Sequence, residues 1–213
     1  VPTVFTYAGA PVAVRPDLRY SHISTWGHFS RPGPTLRGDQ RIAILDAARA
    51  DSTERDAEAI GVSPTTGALA DHLMHRPASV TGTVVRRAAD ADGEATTVEV
   101  IGLISMLSAV DFTHLGIGAR LEPLPLPQPG PPTGAVAEGL KRRRTHIPVP
   151  PGPIPVVLDL LPDEGAAFQA MFGPHYMTGW EMALDDFARR PGLDRAQMEL
   201  VSSRTSLHNE CFY

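Results

Sequence analysis

The sequence predicts an all-α protein, and three observations carry that prediction. Apolar residues recur at helical spacing in separate runs, the longest of which, Glu94 to Gly116, has very little charge in its middle on any side. The 21 prolines fall mostly outside those runs and punctuate the chain between them. Capping residues stand where runs begin: Ser63 before Pro64, and Asp194 before Arg195 with Gln197 three residues on.

In chain order, residues 1–34 read as loop, with Pro2, Pro11, Pro16, Pro32 and Pro34, held to the body by Tyr20, Trp26 and Phe29. His22 and His28 lie six apart with no carboxylate between them, which favours packing over a metal pair. Leu36 to Asp51 reads as a helix with Ile42, Leu45 and Arg49 on one stripe, widened by Ile44 and Ala48. Glu54 to Gly61 continues as a short helix, and Ser63 caps a third, Pro64 to Arg76. His72 and His75 are i, i+3 there; no third ligand stands at matching spacing, so packing or solvation is favoured over metal. A fourth helix runs from Ser79 to Ala91 and ends in the polar turn Asp90 to Gly93.

Glu94 to Gly116 reads as the central buried helix, with Val100, Leu103, Ile104, Leu107 and Val110 on one side. The opposite side, Val98, Ile101, Ser105, Ser108 and Phe112, is mixed but uncharged. Asp111 and His114 continue the Val100 side, where they either orient one another, contribute to a site or close the end of a bundle. Ala119 to Pro155 is a linker with two polyproline-like stretches, PLPLPQPGPP and PVPPGPIP. Between them Lys141, Arg142, Arg143 and Arg144 end a short helix from Gly134, read as a solvated face rather than an anion or partner contact. Gly165 to Phe172 and Tyr176 to Arg190 read as helices, the latter with the stripe Trp180, Ala183, Leu184 and Phe187. Gly192 breaks the chain before a last helix, Arg195 to Leu207.

That last helix breaks a local rule. Ser202, Ser203, Thr205 and Ser206 are four hydroxyl residues among five, which compete for backbone hydrogen bonds and disfavour mid-helix positions. Such a violation marks a site more often than a well-packed surface. The stretch also holds the single cysteine, Cys211, with Glu199 twelve residues upstream. A thiolate cleaves a peroxide O–O bond, but a thiol ionises poorly at neutral pH unless a base takes its proton or its pKa is lowered. On a straight helix twelve positions leave Cys211 roughly 120° from Glu199. Contact therefore needs a helix break near Asn209, or a bridge such as His208. The plain alternative is a solvated helix with an inert cysteine near its end.

Composition bounds the classes. A net charge of −5 disfavours a nucleic-acid partner outside a local patch. One cysteine argues against a disulfide framework and fits a reducing compartment, so a cytoplasmic location is expected. No apolar run of eighteen residues is present, so no membrane partner is expected, and the start VPTVFTYAGAP lacks the charged region of a signal peptide.

The pattern Glu199-Leu-Val-Ser-x-x-x-Ser-Leu-x-Asn-x-Cys211-x-Tyr213 resembles the active-site stretch of the alkylhydroperoxidase D-like and carboxymuconolactone decarboxylase superfamily. In that family the motif runs on as Cys-x-x-Cys-x-x-x-His or a close variant. Glu199 matches the proton-relay carboxylate and Cys211 the first cysteine, and the run VEVIGLISMLSAVDFTHLGIG resembles the second conserved helix, which packs across the active one. The resemblance implies an alkylhydroperoxidase D-like bundle of two related units, residues 1–118 and 156–213, joined by the linker 119–155. Laid on the terminal stretch at constant offset, Leu36 falls on Leu193, Ile42 on Glu199 and Glu54 on Cys211, so the first unit reads as a degenerate copy. Implied further are a peroxide substrate, a thiol electron donor, homo-oligomers and catalytic roles for Cys211 and Glu199. His208, the bridge that helix geometry asks for, completes the expected catalytic set, and no cofactor or metal is expected. The redox-active residue would stand directly after Tyr213. Selenocysteine, encoded by a codon otherwise read as stop, is one expectation for it, with Cys211 then resolving the oxidised selenium. The competing expectation is a non-catalytic helical module for assembly or ligand binding. A decarboxylase role is weaker, since no residue selects a lactone.

Overall fold

A largely apolar run of 23 residues, Glu94–Gly116, becomes the axis around which the rest is packed. The computed structural model describes residues 5–142, 145–151, 156–188 and 193–208. Among these the chain is all-α, with eight helices and no strand. In order they are α1 Pro16–Ser30, α2 Gly38–Arg49, α3 Thr53–Ile60, α4 Pro64–His75, α5 Gly82–Asp92, α6 Glu94–Gly116, α7 Pro162–His175 and α8 Arg195–His208.

The ends of these helices follow from their sequence. Ser63 accepts the Thr66 N–H at the start of α4, with Pro64 in the first turn. Gly61 closes α3 in the left-handed region at φ 87°, where a Cβ would be strained. Asp194 and Gln197 form a reciprocal capping box on α8: Asp194 N donates to Gln197 Oε1 at 2.9 Å, and Gln197 N donates to Asp194 Oδ1 at 2.9 Å.

α6 is surrounded by α1, α2, α4, α5 and α7. Its Val100, Leu103, Ile104, Met106, Leu107 and Val110 are fully buried, and Phe5, Trp26, Phe29, Ile44, Leu45 and Met171 close the core over them. α6 is long and apolar enough to cross a membrane, and most of it is buried against these neighbours. Gly102 sits where the turn Val157–Leu160 and α7 cross α6. A Cβ there would lie 3.1 Å from Leu158 Cδ2 and 3.4 Å from Glu164 Oε2.

Three sequence expectations are corrected. Residues 16–30, read as loop, form α1; its buried face is Ser21, His22, Thr25, Trp26, Phe29 and Ser30, a helical stripe disguised by hydroxyl and imidazole groups. The Ser21 and Thr25 hydroxyls donate to Leu18 and Ser21 carbonyls, which is how polar groups enter the core at small cost. The expected helix from Gly134 is absent over the described residues 134–142. Within 176–188 only the single turn Glu181–Ala183 is helical, and Trp180 is exposed rather than part of an apolar stripe.

The proline-rich segment is fastened to the body. Trp26 Nε1 donates to the Pro123 carbonyl at 2.9 Å, and Gln128 N to the Ser30 carbonyl at 2.7 Å. α7 packs on α1 and α6, and it carries Glu164 into the interior.

Candidate functional site

α8 positions the carboxylate that the sequence singled out. Arg195 anchors its first turn by donating from Nη1 to the carbonyls of Met182 at 2.5 Å and Leu184 at 2.8 Å. One turn on, Glu199 is half-exposed and held from both sides: Tyr176 donates its hydroxyl to Oε2 at 2.7 Å, and Arg195 Nε donates to Oε1 at 3.3 Å. Burial and the Glu199 carboxylate together push the Tyr176 hydroxyl above its ordinary pKa, so it stays a donor.

α8 continues without a break through His208, which is exposed. Nine positions along a regular helix place His208 about 13 Å from Glu199 along the axis and on the opposite side. The structure therefore does not bring Glu199 and His208 together. Cys211 lies outside the described residues, as does Asn209.

The interior holds two polar constellations that sequence reasoning did not assemble. In the first, the buried Arg41 of α2 stands between two buried carboxylates, Glu99 of α6 and Glu164 of α7, with Nη1 at 3.2 Å from Glu99 Oε1 and 2.9 Å from Glu164 Oε1. Glu99 Oε2 also accepts from the Thr35 N–H and hydroxyl, both at 2.7 Å, and from Leu36 N at 3.2 Å. His28 Nε2 is 2.9 Å from both Glu164 Oε2 and Arg41 Nη2. Burial raises the Glu99 carboxyl above its ordinary range, although Arg41 and Thr35 oppose it. Burial acts on Glu164 the same way, but the His28 hydrogen bond and Arg41 outweigh it and hold that carboxyl low. Glu164 Oε1 meets Arg41 as a charge contact without hydrogen-bond geometry, and Arg41 Nε has no partner among the described residues. Gly33 is required here: a Cβ on it would overlap Glu99 and Arg41.

The second constellation gathers Tyr7, His22 of α1, His114 of α6 and His175 of α7. His114 stacks on Tyr7, ring centres 4.7 Å apart, and donates from Nδ1 to the Val110 carbonyl at 2.8 Å. Its Nε2 is buried without a hydrogen-bond partner, 3.8 Å from Glu122 Oε1. Glu122 in turn accepts the backbone N–H groups of Thr6 at 2.6 Å and Tyr7 at 2.8 Å. Tyr7 holds a positive φ of 47°, uncommon for a residue with a Cβ, and these bonds pin it there. Burial raises the Tyr7 hydroxyl to about 12.

The histidine spacings of the sequence are thereby dissolved. His22 and His28 go to different constellations. His72 faces Ser79, and His75 meets the Ala48 carbonyl. Asp111 pairs with Arg49 at 2.7 Å, while His114 turns to Tyr7. Among the described residues no group of three or more His, Cys, Asp or Glu converges on a metal-sized point. One signal for the first constellation stood in the sequence: Glu99 is the single charged residue within Thr97 to Val110 of an otherwise apolar helix. Partnering Arg41 and Glu164 to it needed tertiary contacts.

The chain matches no model of a known protein family, no curated protein and no solved structure.

Proposed function

We propose that the protein is a thiol-dependent alkylhydroperoxidase-like oxidoreductase, with Cys211 as a redox-active thiol and Glu199 as its proton relay. The observation that carries the reading is the clamping of Glu199 between Tyr176 and Arg195 on the helix that leads to Cys211. A carboxylate held by two donors on a hydroxyl-rich helix has a fixed direction and remains accessible, as a relay requires. The alkylhydroperoxidase D-like bundle of two related units, built from residues 1–118 and 156–213, belongs to the same proposal and draws on the all-α architecture.

In this reaction Glu199 takes the proton of the Cys211 thiol, the thiolate attacks the distal oxygen of ROOH and the O–O bond breaks. The alkoxide leaves as ROH, taking the proton that Glu199 delivers, and the sulfur is oxidised to a sulfenic acid. Two equivalents of an external thiol then return Cys211 to the thiol, releasing water and a disulfide.

The test is sulfenic-acid trapping after addition of an organic hydroperoxide. The expected result is an adduct on Cys211, lost in Cys211→Ser and formed at least about tenfold more slowly in Glu199→Gln. Unchanged rates in Glu199→Gln, or no adduct in the unmodified chain, overturn the reading.

A second reading, a non-catalytic assembly module, is favoured by one feature. Leu200, Val201 and Leu207 on α8 are 72%, 65% and 66% exposed, an apolar surface of the kind that self-association covers. Homo-oligomers in which Leu200→Gln causes dissociation, together with an unreactive Cys211, would favour it.

A further inference from the structure

His22, buried in the middle of α1, and His175, partly exposed in the last turn of α7, bring their Nε2 atoms to 3.1 Å. The other nitrogen of each ring is occupied: His175 Nδ1 donates to the Met171 carbonyl at 2.9 Å, and His22 Nδ1 lies 2.8 Å from the Tyr7 hydroxyl. We propose that this pair is a two-histidine site for a divalent transition ion such as Zn²⁺, Co²⁺ or Ni²⁺, with water or a ligand oxygen in the remaining positions.

The spacing of the two nitrogens and of the two ring centres is what one shared ion would need. Such an ion lies about 2.0–2.1 Å from an imidazole nitrogen, and on the ring axis it is roughly 3.2 Å from the ring centre. Two rings meeting it at about 100° place their nitrogens ~3.1 Å apart and their centres ~4.9–5.0 Å apart. The observed values are 3.1 Å and 5.0 Å. A straight N–H···N hydrogen bond of the same length would hold the ring centres ~5.4 Å apart. An angle near 100° suits neighbouring positions of a tetrahedral or octahedral shell.

The surroundings match the way metal-bound imidazoles are held, with the distal nitrogen fixed by a carbonyl or hydroxyl so that ring orientation is set in advance. Both rings are ready ligands at neutral pH. Burial, with His175 and His114 beside it, drops His22 to about 3, and burial likewise lowers His175. With only two protein ligands, binding is weaker than at a closed four-ligand site.

The ion also changes where a proton sits. Without metal, His175 carries its proton on Nδ1, so its Nε2 accepts from His22 Nε2–H, and Tyr7 O–H donates to His22 Nδ1. With metal, the His22 proton moves to Nδ1 and donates to the Tyr7 oxygen, and no proton is released.

The test is a titration of the untagged, chelator-stripped full chain with Co²⁺ or Zn²⁺ alone, followed by calorimetry and by ¹⁵N resonances of the imidazoles. One equivalent per chain is expected, with the His22 Nδ1 and Nε2 signals exchanging protonated and bare character. His175→Gln should weaken binding by about tenfold or more with unchanged far-UV dichroism, and His72→Gln should leave it unaltered. Absence of saturation up to millimolar metal overturns the proposal, as does binding that leaves the His22 and His175 signals unmoved or that His175→Gln does not weaken. If His175→Gln fails to fold, the resonances of the unmodified chain decide the question.

Discussion

α1 and α8 are nearly equal in length, 15 and 14 residues, and both mix hydroxyl groups with scattered apolar side chains, yet they end in opposite environments. α1 buries six residues, four of them Ser, His or Thr. α8 buries Met198 alone and packs against no other helix among the described residues. The polarity of a helix did not decide its burial. The difference lies in partners: Thr25 finds a carbonyl one turn back, His22 finds Tyr7 and His175, and Trp26 and Phe29 add large apolar area beside them. α8 has a clamped carboxylate and a sound N-terminal cap, but among its described residues only Met198 is buried. The interior thus takes in polar groups that find most of their partners there, while the terminal helix keeps its hydroxyl groups and Glu199 at the surface.

The largest way to break this contrast is to remove the cation from the interior. Arg41→Met leaves Glu99 and Glu164 buried without their countercharge, and an unfolding free energy lower by about 3–5 kcal/mol is expected in urea titration. Combining it with Glu99→Gln and Glu164→Gln should restore a large part of that loss, because a neutral cluster leaves no uncompensated charge. A loss that persists in the triple variant would mean that Arg41 acts by packing instead.

Acid should act next most strongly. The His22 pKa is about 3 in the fold against an ordinary 6.5, so the unfolded chain binds the proton first as pH falls. The stability from keeping His22 neutral is complete above about pH 6.5 and is lost as pH falls towards 3, at up to about 1.4 kcal/mol per pH unit. A His22→Phe variant should show a flatter profile between those limits, and equal slopes would refute this assignment.

Gly33→Ala tests how tightly the interior is drawn, since its Cβ has no room beside Glu99 and Arg41. A loss of about 1–3 kcal/mol is expected on thermal unfolding. On α8 the effects should be smaller and local. Tyr176→Phe removes the 2.7 Å bond to Glu199, with about 0.5–1.5 kcal/mol at stake, and should slow Cys211 oxidation more than it lowers the melting temperature. Asp194→Ala removes half of the capping box at about 1 kcal/mol, read as faster amide exchange within α8 and little change elsewhere.

Legibility in the sequence followed the same division. α2, α3, α4 and α6 lie close to their expected positions: Ile, Leu and Val at helical spacing report the buried faces of α2 and α6, and the breaks at Gly61, Ser63 and Pro64 mark off α3 and α4. α1 was not, because Ser21, His22, Thr25 and Ser30 read as polar until their partners are known. Residues 176–188 misled in the other direction, offering apolar spacing without the neighbours that would make it a helix. Of the catalytic set named from sequence, Glu199 acquires fixed partners, while His208 ends on the far side of the same helix.

The sequence by itself determined the helical class, the caps at Ser63 and Asp194, and the central place of α6, since each depends on residues within a few positions of one another. Only the tertiary structure decided that Arg41, Glu99 and Glu164 share one buried site, and that His22 meets His175 across 153 residues. Charge pairing and imidazole convergence act over distances of a few ångströms in space. The chain spacing of the residues involved carries no trace of them.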